Sequence, residues 1–157
     1  MPERMRLVVG SDDAGFDYKM RIAADLREDP RVESVEDLGV DSEDLRSESY
    51  GEVAIRAGER IRSGAAERAV LFCGTGIGVA IAANKVEGIR ATVAHDSYSI
   101  ERSILSNDCQ VLTLGQRVIG LELARRLVRE WLGYRFDPGT PSNEKVSVIT
   151  DYERGRV

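Results

Sequence analysis

The chain predicts an α/β protein: a doubly wound, five-stranded parallel sheet with helices on both faces and an added C-terminal helix. Three observations carry this. Short apolar runs recur five times, each closing on a glycine or a polar residue; a stretch of helical spacing follows each run; and 157 residues suit a single domain spanning 1–157. Apolar runs without polar alternation mark strands buried on both faces, and right-handed crossovers then distribute the helices over two layers.

The first run is Leu7 to Gly10, rich in valine and ended by glycine. From Phe16 to Arg27 the apolar residues Phe16, Met20, Ile22, Ala23 and Leu26 recur near helical spacing, and Pro30 lies just past the end. Val35 to Val40 is the second strand. Asp41 to Ser49 is polar and acidic and reads as a loop; the helix after it begins near Tyr50 and turns Val53, Ile55, Ala57 and Ile61 inward. Ala69 to Cys73 is the third strand, Ile77 to Val86 the third helix, and Ile89 to Ala94 a fourth strand that ends at His95. Ser97 to Ser106 is helical and Val111 to Leu114 is the fifth strand. Val118 to Leu132 is an amphipathic helix carrying Ile119, Leu121, Leu123, Leu127, Val128 and Trp131. Turn residues from Asp137 lead to a last helix, about residues 143–154, which serves subunit contact in this reading.

Apolar residues make up 42% of the chain and charged ones 31%, the balance of a globular protein rather than a disordered one. The net charge, 22 − 27 = −5, and the lack of a basic tract exclude a broad nucleic-acid footprint. Two cysteines are too few for a disulfide framework and fit a reducing cytoplasm. No apolar run approaches membrane-spanning length, so neither a membrane nor a nucleic acid is expected as a partner.

In a doubly wound sheet, ligands gather at the C-terminal ends of the strands. Those ends are Asp12-Asp13, the loop before Tyr50, Cys73 to Gly78, His95-Asp96 and Gly115 to Arg117. The turn Gly74-Thr75-Gly76-Ile77-Gly78 lacks the Lys-Ser/Thr pair of a P-loop and misses the G-x-G-x-x-G spacing of dinucleotide sites. A small phosphorylated or enolate-forming ligand suits it better than a nucleotide, and neither a cofactor nor a metal is called for. Helix N-termini favour negative charge and thiolates, so Cys73 is a candidate base or nucleophile, against the plain alternative of a buried small hydrophobe. Cys109, opening a strand, reads as packing. Asp12 and Asp13 either cap the following helix or bind hydroxyl groups. His95, the chain's single histidine, is open to a packing or a chemical role, and Arg117 to a phosphate contact or a surface ion pair.

Taken together, Gly10-Ser11-Asp12-x-Ala14-Gly15-Phe16 with Lys19, Cys73-Gly74-Thr75-Gly76-Ile77-Gly78, Ala82-Ala83-Asn84-Lys85-Val86, His95-Asp96-x-Tyr98-Ser99, Asn107-Asp108 and Leu114-Gly115-x-Arg117-Val118 resemble type B ribose-5-phosphate isomerase, whose family includes the galactose-6-phosphate isomerase subunits. The likeness runs in register from about residue 6 to 136. It implies a Rossmann-like fold, a homodimer or homotetramer with shared sites, and metal-independent aldose–ketose isomerisation of a small phosphorylated sugar through an enediolate. Carried over, Cys73 is the base between C1 and C2, Thr75 assists proton movement at the sugar oxygens, and the amides of Gly74, Gly76, Ile77 and Gly78 hold the enediolate. Asp12 and Tyr50 touch sugar hydroxyls, while Asn107 and Arg117 come from the partner subunit. A sugar-phosphate-binding domain without catalysis is the alternative, and it has no need of Cys73.

The chain departs from the family pattern at four places. Asp13 stands where the family has histidine, Ser106 replaces the histidine before Asn107 that is associated with furanose opening, and Pro141 and Lys145 occupy the stretch that supplies phosphate-gripping arginines. Serine is a poor acid–base group at neutral pH. A tetrose 4-phosphate cannot close a furanose, because its O4 is esterified. An erythrose 4-phosphate/erythrulose 4-phosphate pair therefore accounts for both the lost histidine and the altered phosphate grip. His95 standing in for the lost imidazole is the competing expectation.

Overall fold

The computed structural model describes residues 3–41 and 48–155, so the acidic loop expected over 41–49 lies outside the described residues except at its ends. Among the described residues the strands are β1 (Met5–Ser11), β2 (Val32–Gly39), β3 (Arg68–Cys73), β4 (Ala91–Val93) and β5 (Val111–Gly115). The helices are α1 (Phe16–Glu28), α2 (Tyr50–Arg62), α3 (Ile77–Ala83), α4 (Ser97–Leu105), α5 (Leu121–Leu132) and α6 (Ser142–Glu153), and a 3₁₀ turn (Asp13–Gly15) leads into α1.

All strands are parallel, in the order β2-β1-β3-β5-β4. This order dictates the layers. The steps β1→β2 and β5←β4 run one way across the sheet and β2→β3 and β3→β4 the other, so right-handed crossovers place α1 and α4 on one face and α2 and α3 on the opposite face. The cores agree: Ile22, Ala23, Leu26, Ile100, Ile104, Leu127 and Trp131 pack on one side, and Ala54, Ala57, Val79 and Ala83 on the other. From β1 the chain steps to β2 on one side while β3 lies on the other, which makes the C-terminal ends of β1 and β3 a switch point where a crevice opens.

Two expected helix faces need correction. In α2 the buried residues are Val53, Ala54, Ala57 and Gly58, whereas Ile55 is 44% exposed; the small Gly58 lets Val86 approach to where a Cβ would stand 2.8 Å away. In α5, Leu123 is 45% exposed and Ala124 and Leu132 take inward positions, because Ala124, Leu127, Val128, Trp131 and Leu132 form the i, i+3, i+4, i+7, i+8 stripe that faces the core. β4 is also shorter than expected. It is an edge strand, and the side-chain amide of Asn84 caps it by donating to the Ala91 carbonyl (2.9 Å) and accepting from the Ala91 N–H (2.8 Å).

Lys19 is fully buried. Its ammonium is paired with Asp37 at 2.7 Å, bonded to the Val40 carbonyl and set over the Phe16 ring, so it ties α1 to the end of β2. Ser49 caps α2 reciprocally: the Glu52 N–H donates to Ser49 Oγ, and the Ser49 N–H donates to the Glu52 carboxylate at 2.8 Å. Ser49→Ala is expected to lower unfolding free energy by about 1 kcal/mol in urea titration, the usual value of an N-cap. No helix among the described residues is long and apolar enough to cross a membrane.

Candidate active site

A cleft of about 660 Å³ opens at the switch point, lined by Asp12, Asp13, Tyr50, Cys73, Gly74, Thr75, Ile77, Gly78 and Arg117 together with Ala14 and Ile81. Nine residues singled out in the sequence therefore meet in one place. β1 delivers Asp12 and Asp13, β3 delivers Cys73, and the segment after β5 delivers Arg117.

The turn after β3 is held by its own side chains. The Gly76 N–H donates to Cys73 Sγ at 3.1 Å, and the Ile77 N–H donates to Thr75 Oγ1 at 3.1 Å. Two of the amides expected to face an enediolate thus orient the thiol and the hydroxyl. Gly76 has φ = 81°, a conformation that only glycine adopts freely, and it aims α3 into the cleft. Cys73 itself is buried.

The floor of the cleft comes from close backbone approaches. A Cβ on Gly78 would stand 2.7 Å from the Tyr50 ring, so the glycine is the seat of that tyrosine. A Cβ on Gly115 would lie 2.5 to 2.6 Å from the Thr75 backbone, and one on Gly74 would lie 3.2 Å from Arg117 Nη1. The Gln116 and Arg117 N–H groups donate to the carbonyls of Cys73 and Gly74, each at 3.0 Å, which clasps the end of β5 to the turn. Thr113 escaped the sequence reading. It is fully buried in β5, and its hydroxyl donates to the Gly76 carbonyl at 2.6 Å; a lone hydroxyl inside Val111-Leu112-Thr113-Leu114 was the available signal.

Asp12 takes the capping role and also lines the cleft. Its Oδ1 accepts the Gly15 N–H at 3.1 Å as an N-cap, while its carboxylate lines the cleft; burial lifts its pKa above the ordinary aspartate value, against the opposing pull of that hydrogen bond. Arg117, which the resemblance assigns to the partner's site, lines the cleft of its own chain.

Four predicted residues lie elsewhere. His95 stands behind the cleft, where its Nε2 accepts the Gly115 N–H at 3.1 Å. Ser106 caps the end of α4 and accepts a hydrogen bond from Arg102 Nε at 2.7 Å. Asn107 follows it, at the end of the sheet away from the cleft, and lines a second cavity of about 590 Å³ with Arg102, Asn84 and Ile149. Lys145 is exposed on α6. Cys109 keeps its packing role, and burial pushes its thiol up to about 11.

The model of the family described as Ribose/Galactose Isomerase matches residues 7–149. The chain belongs to that family. It is an enzyme of the aldose–ketose isomerase class. It is 57% identical over 149 residues to D-erythrulose-4-phosphate isomerase 2 of Mycolicibacterium smegmatis, covering 95% of this chain and 97% of that one. To ribose-5-phosphate isomerase B of Escherichia coli it is 38% identical, covering 96% and 98%. The structure of ribose-5-phosphate isomerase B from Clostridium thermocellum superposes with a TM-score of 0.88 at 37% identity, over 98% of this chain and all of that one.

Proposed function

We propose that this family member interconverts D-erythrulose 4-phosphate and erythrose 4-phosphate, with the ribose 5-phosphate/ribulose 5-phosphate pair as the second reading. The observation that carries the tetrose is Ser106, tied to Arg102 where a ring-opening imidazole is expected. An open-chain substrate needs no such acid. The 57% likeness to an erythrulose-4-phosphate isomerase supports the same choice.

In this mechanism the whole chain acts as one isomerase domain. The Cys73 thiolate removes the C2 proton of the aldose; the C2 electron pair forms the C1–C2 double bond, and the carbonyl electrons pass to O1. The thiol returns the proton to C1 while the O2 proton moves to O1 by way of Thr75. Negative charge built on oxygen is met by the N–H donors of the 74–78 turn other than those of Gly76 and Ile77, which is worth several kcal/mol where water is excluded. Asp12 and Tyr50 hold hydroxyl groups.

The phosphate requires more than one chain offers. The cleft sets Arg117 against Asp12 and Asp13, whereas a phosphoryl group carries nearly two negative charges. A second copy supplying Asn107 and further cations, Lys145 among them, completes the site. Exposed apolar side chains are available for the contact: Ile77 and Ile81 on α3 and Val148, Ile149 and Tyr152 on α6 are all at least half exposed. We therefore assign a homodimer or homotetramer, in the cytoplasm, with α6 in the contact.

Comparing kcat/KM for D-erythrulose 4-phosphate and ribose 5-phosphate tests the assignment. A preference of about tenfold or more for the tetrose is expected, the scale on which one extra carbon is rejected. A preference for ribose 5-phosphate would return the enzyme to the pentose reading.

A further inference from the structure

We propose that His95 is a positioning residue for the Cys73–Gly76 turn, acting through Gly115 and only in its neutral form. The inference rests on the isomerase reading for its kinetic consequence, though not for its structural one.

β4 ends at Val93, opposite Thr113 of β5, and the Ala94 N–H still reaches the Thr113 carbonyl at 3.4 Å. Beyond that point the two strand ends are joined by a side chain: His95 Nε2 takes the Gly115 N–H. Gly115 is in register with Cys73 and lies against the Thr75 backbone so closely that no Cβ fits between them; a Cβ on Gly76 would in turn stand 3.2 Å from the Gly115 nitrogen. Fixing the Gly115 amide therefore fixes the wall on which Thr75 and Gly76 rest. Gly76 carries the N–H that orients the Cys73 sulfur. His95 is not among the residues that line the cleft, yet Gly115 and Gly76 link its ring to the thiol.

The link exists only while Nε2 has a lone pair to offer, so the proton of neutral His95 is on Nδ1. A protonated ring presents N–H to N–H and must turn away. The fold holds the neutral state: burial lowers the His95 pKa below its ordinary value of 6.5, outweighing the pull of Asp96. Asp96 caps α4 through the Ser99 N–H, and the first turn of α4 carries no acidic side chain. Cys73 at the end of β3 and Arg117 beyond β5 are the other ionisable groups at these strand ends. Because the folded pKa lies below the unfolded one, the neutral ring's contribution is present in full above about pH 6.5 and is lost as pH falls through the folded value.

The chain has one histidine, which makes the test direct. NMR titration of the ligand-free protein is expected to show the Gly115, Thr75 and Gly76 amides shifting with the same midpoint as the His95 ring. In turnover assays, kcat of the natural enzyme drops by a step of about tenfold as pH falls through that midpoint, the size of the loss on removing the acceptor. His95→Gln, whose side-chain carbonyl can accept the Gly115 N–H but does not titrate, keeps kcat at pH 7.5 within about threefold and loses this step; His95→Leu, with no acceptor, loses about tenfold in kcat at pH 7.5 with KM unchanged. Amides that stay still while the ring titrates overturn the proposal, as does a step at the His95 midpoint that is unchanged in His95→Gln. Absence of turnover with every sugar phosphate at every pH would instead refute the isomerase reading, and the ligand-free titration would still decide the role of His95.

Discussion

Cys73→Ala is expected to lower kcat by about 10³-fold, within the range attributed to a positioned base, while sugar-phosphate binding and the melting temperature stay nearly unchanged. The thiol stands at the end of β3, buried and receiving the Gly76 N–H, where truncation leaves a small cavity and removes the proton acceptor. Cys73→Ser separates base strength from size, since a serine hydroxyl accepts the Gly76 N–H and fills the site but is a far weaker base. Both variants should therefore be inactive and folded. Turnover above a tenth of the natural value in either, with binding intact, would pass the base role to another group. Isothermal titration with the sugar phosphate measures the binding arm.

Gly115→Ala is expected to cost about 10²-fold in kcat with only a modest loss of stability. The added methyl would meet the Thr75 backbone at 2.5 to 2.6 Å, and backbone cannot rotate out of the way as a side chain can. The turn must move outward, and displacement of a catalytic group by about 1 Å is enough for a loss of that size. The overpacking itself costs about 1–3 kcal/mol in unfolding free energy. Gly120→Ala is the control, because nothing lies within 4 Å of a Cβ placed there. Equal activity in the two variants would mean that the wall formed by β5 does not set the geometry of the turn.

Much of this arrangement is legible in the linear chain. The alternation of strands and helices, the cleft residues from Asp12 to Arg117 and the membership implied by Cys73-Gly74-Thr75-Gly76 all follow from local patterns, because apolar runs, glycine turns and caps act over a few residues. Helix faces were less legible: Ile55 and Leu123 are apolar yet exposed, since small residues such as Ala54, Gly58 and Ala124 share the inward stripe and let a neighbour approach.

The order β2-β1-β3-β5-β4 belongs to the tertiary structure alone, as parallel strands are joined by crossovers that can reach either side. That order brings Gly115 beside Cys73 and His95 beside Gly115. It also separates Ser106 and Asn107 from the cleft of their own chain. The sequence by itself determined the fold class, the reactive turn and the reaction class, each encoded by neighbours along the chain. Only the folded structure decided that Arg117 lines the cleft of its own chain, that Thr113 pins Gly76 and that the histidine stands behind the turn, because each depends on contacts between residues far apart in sequence.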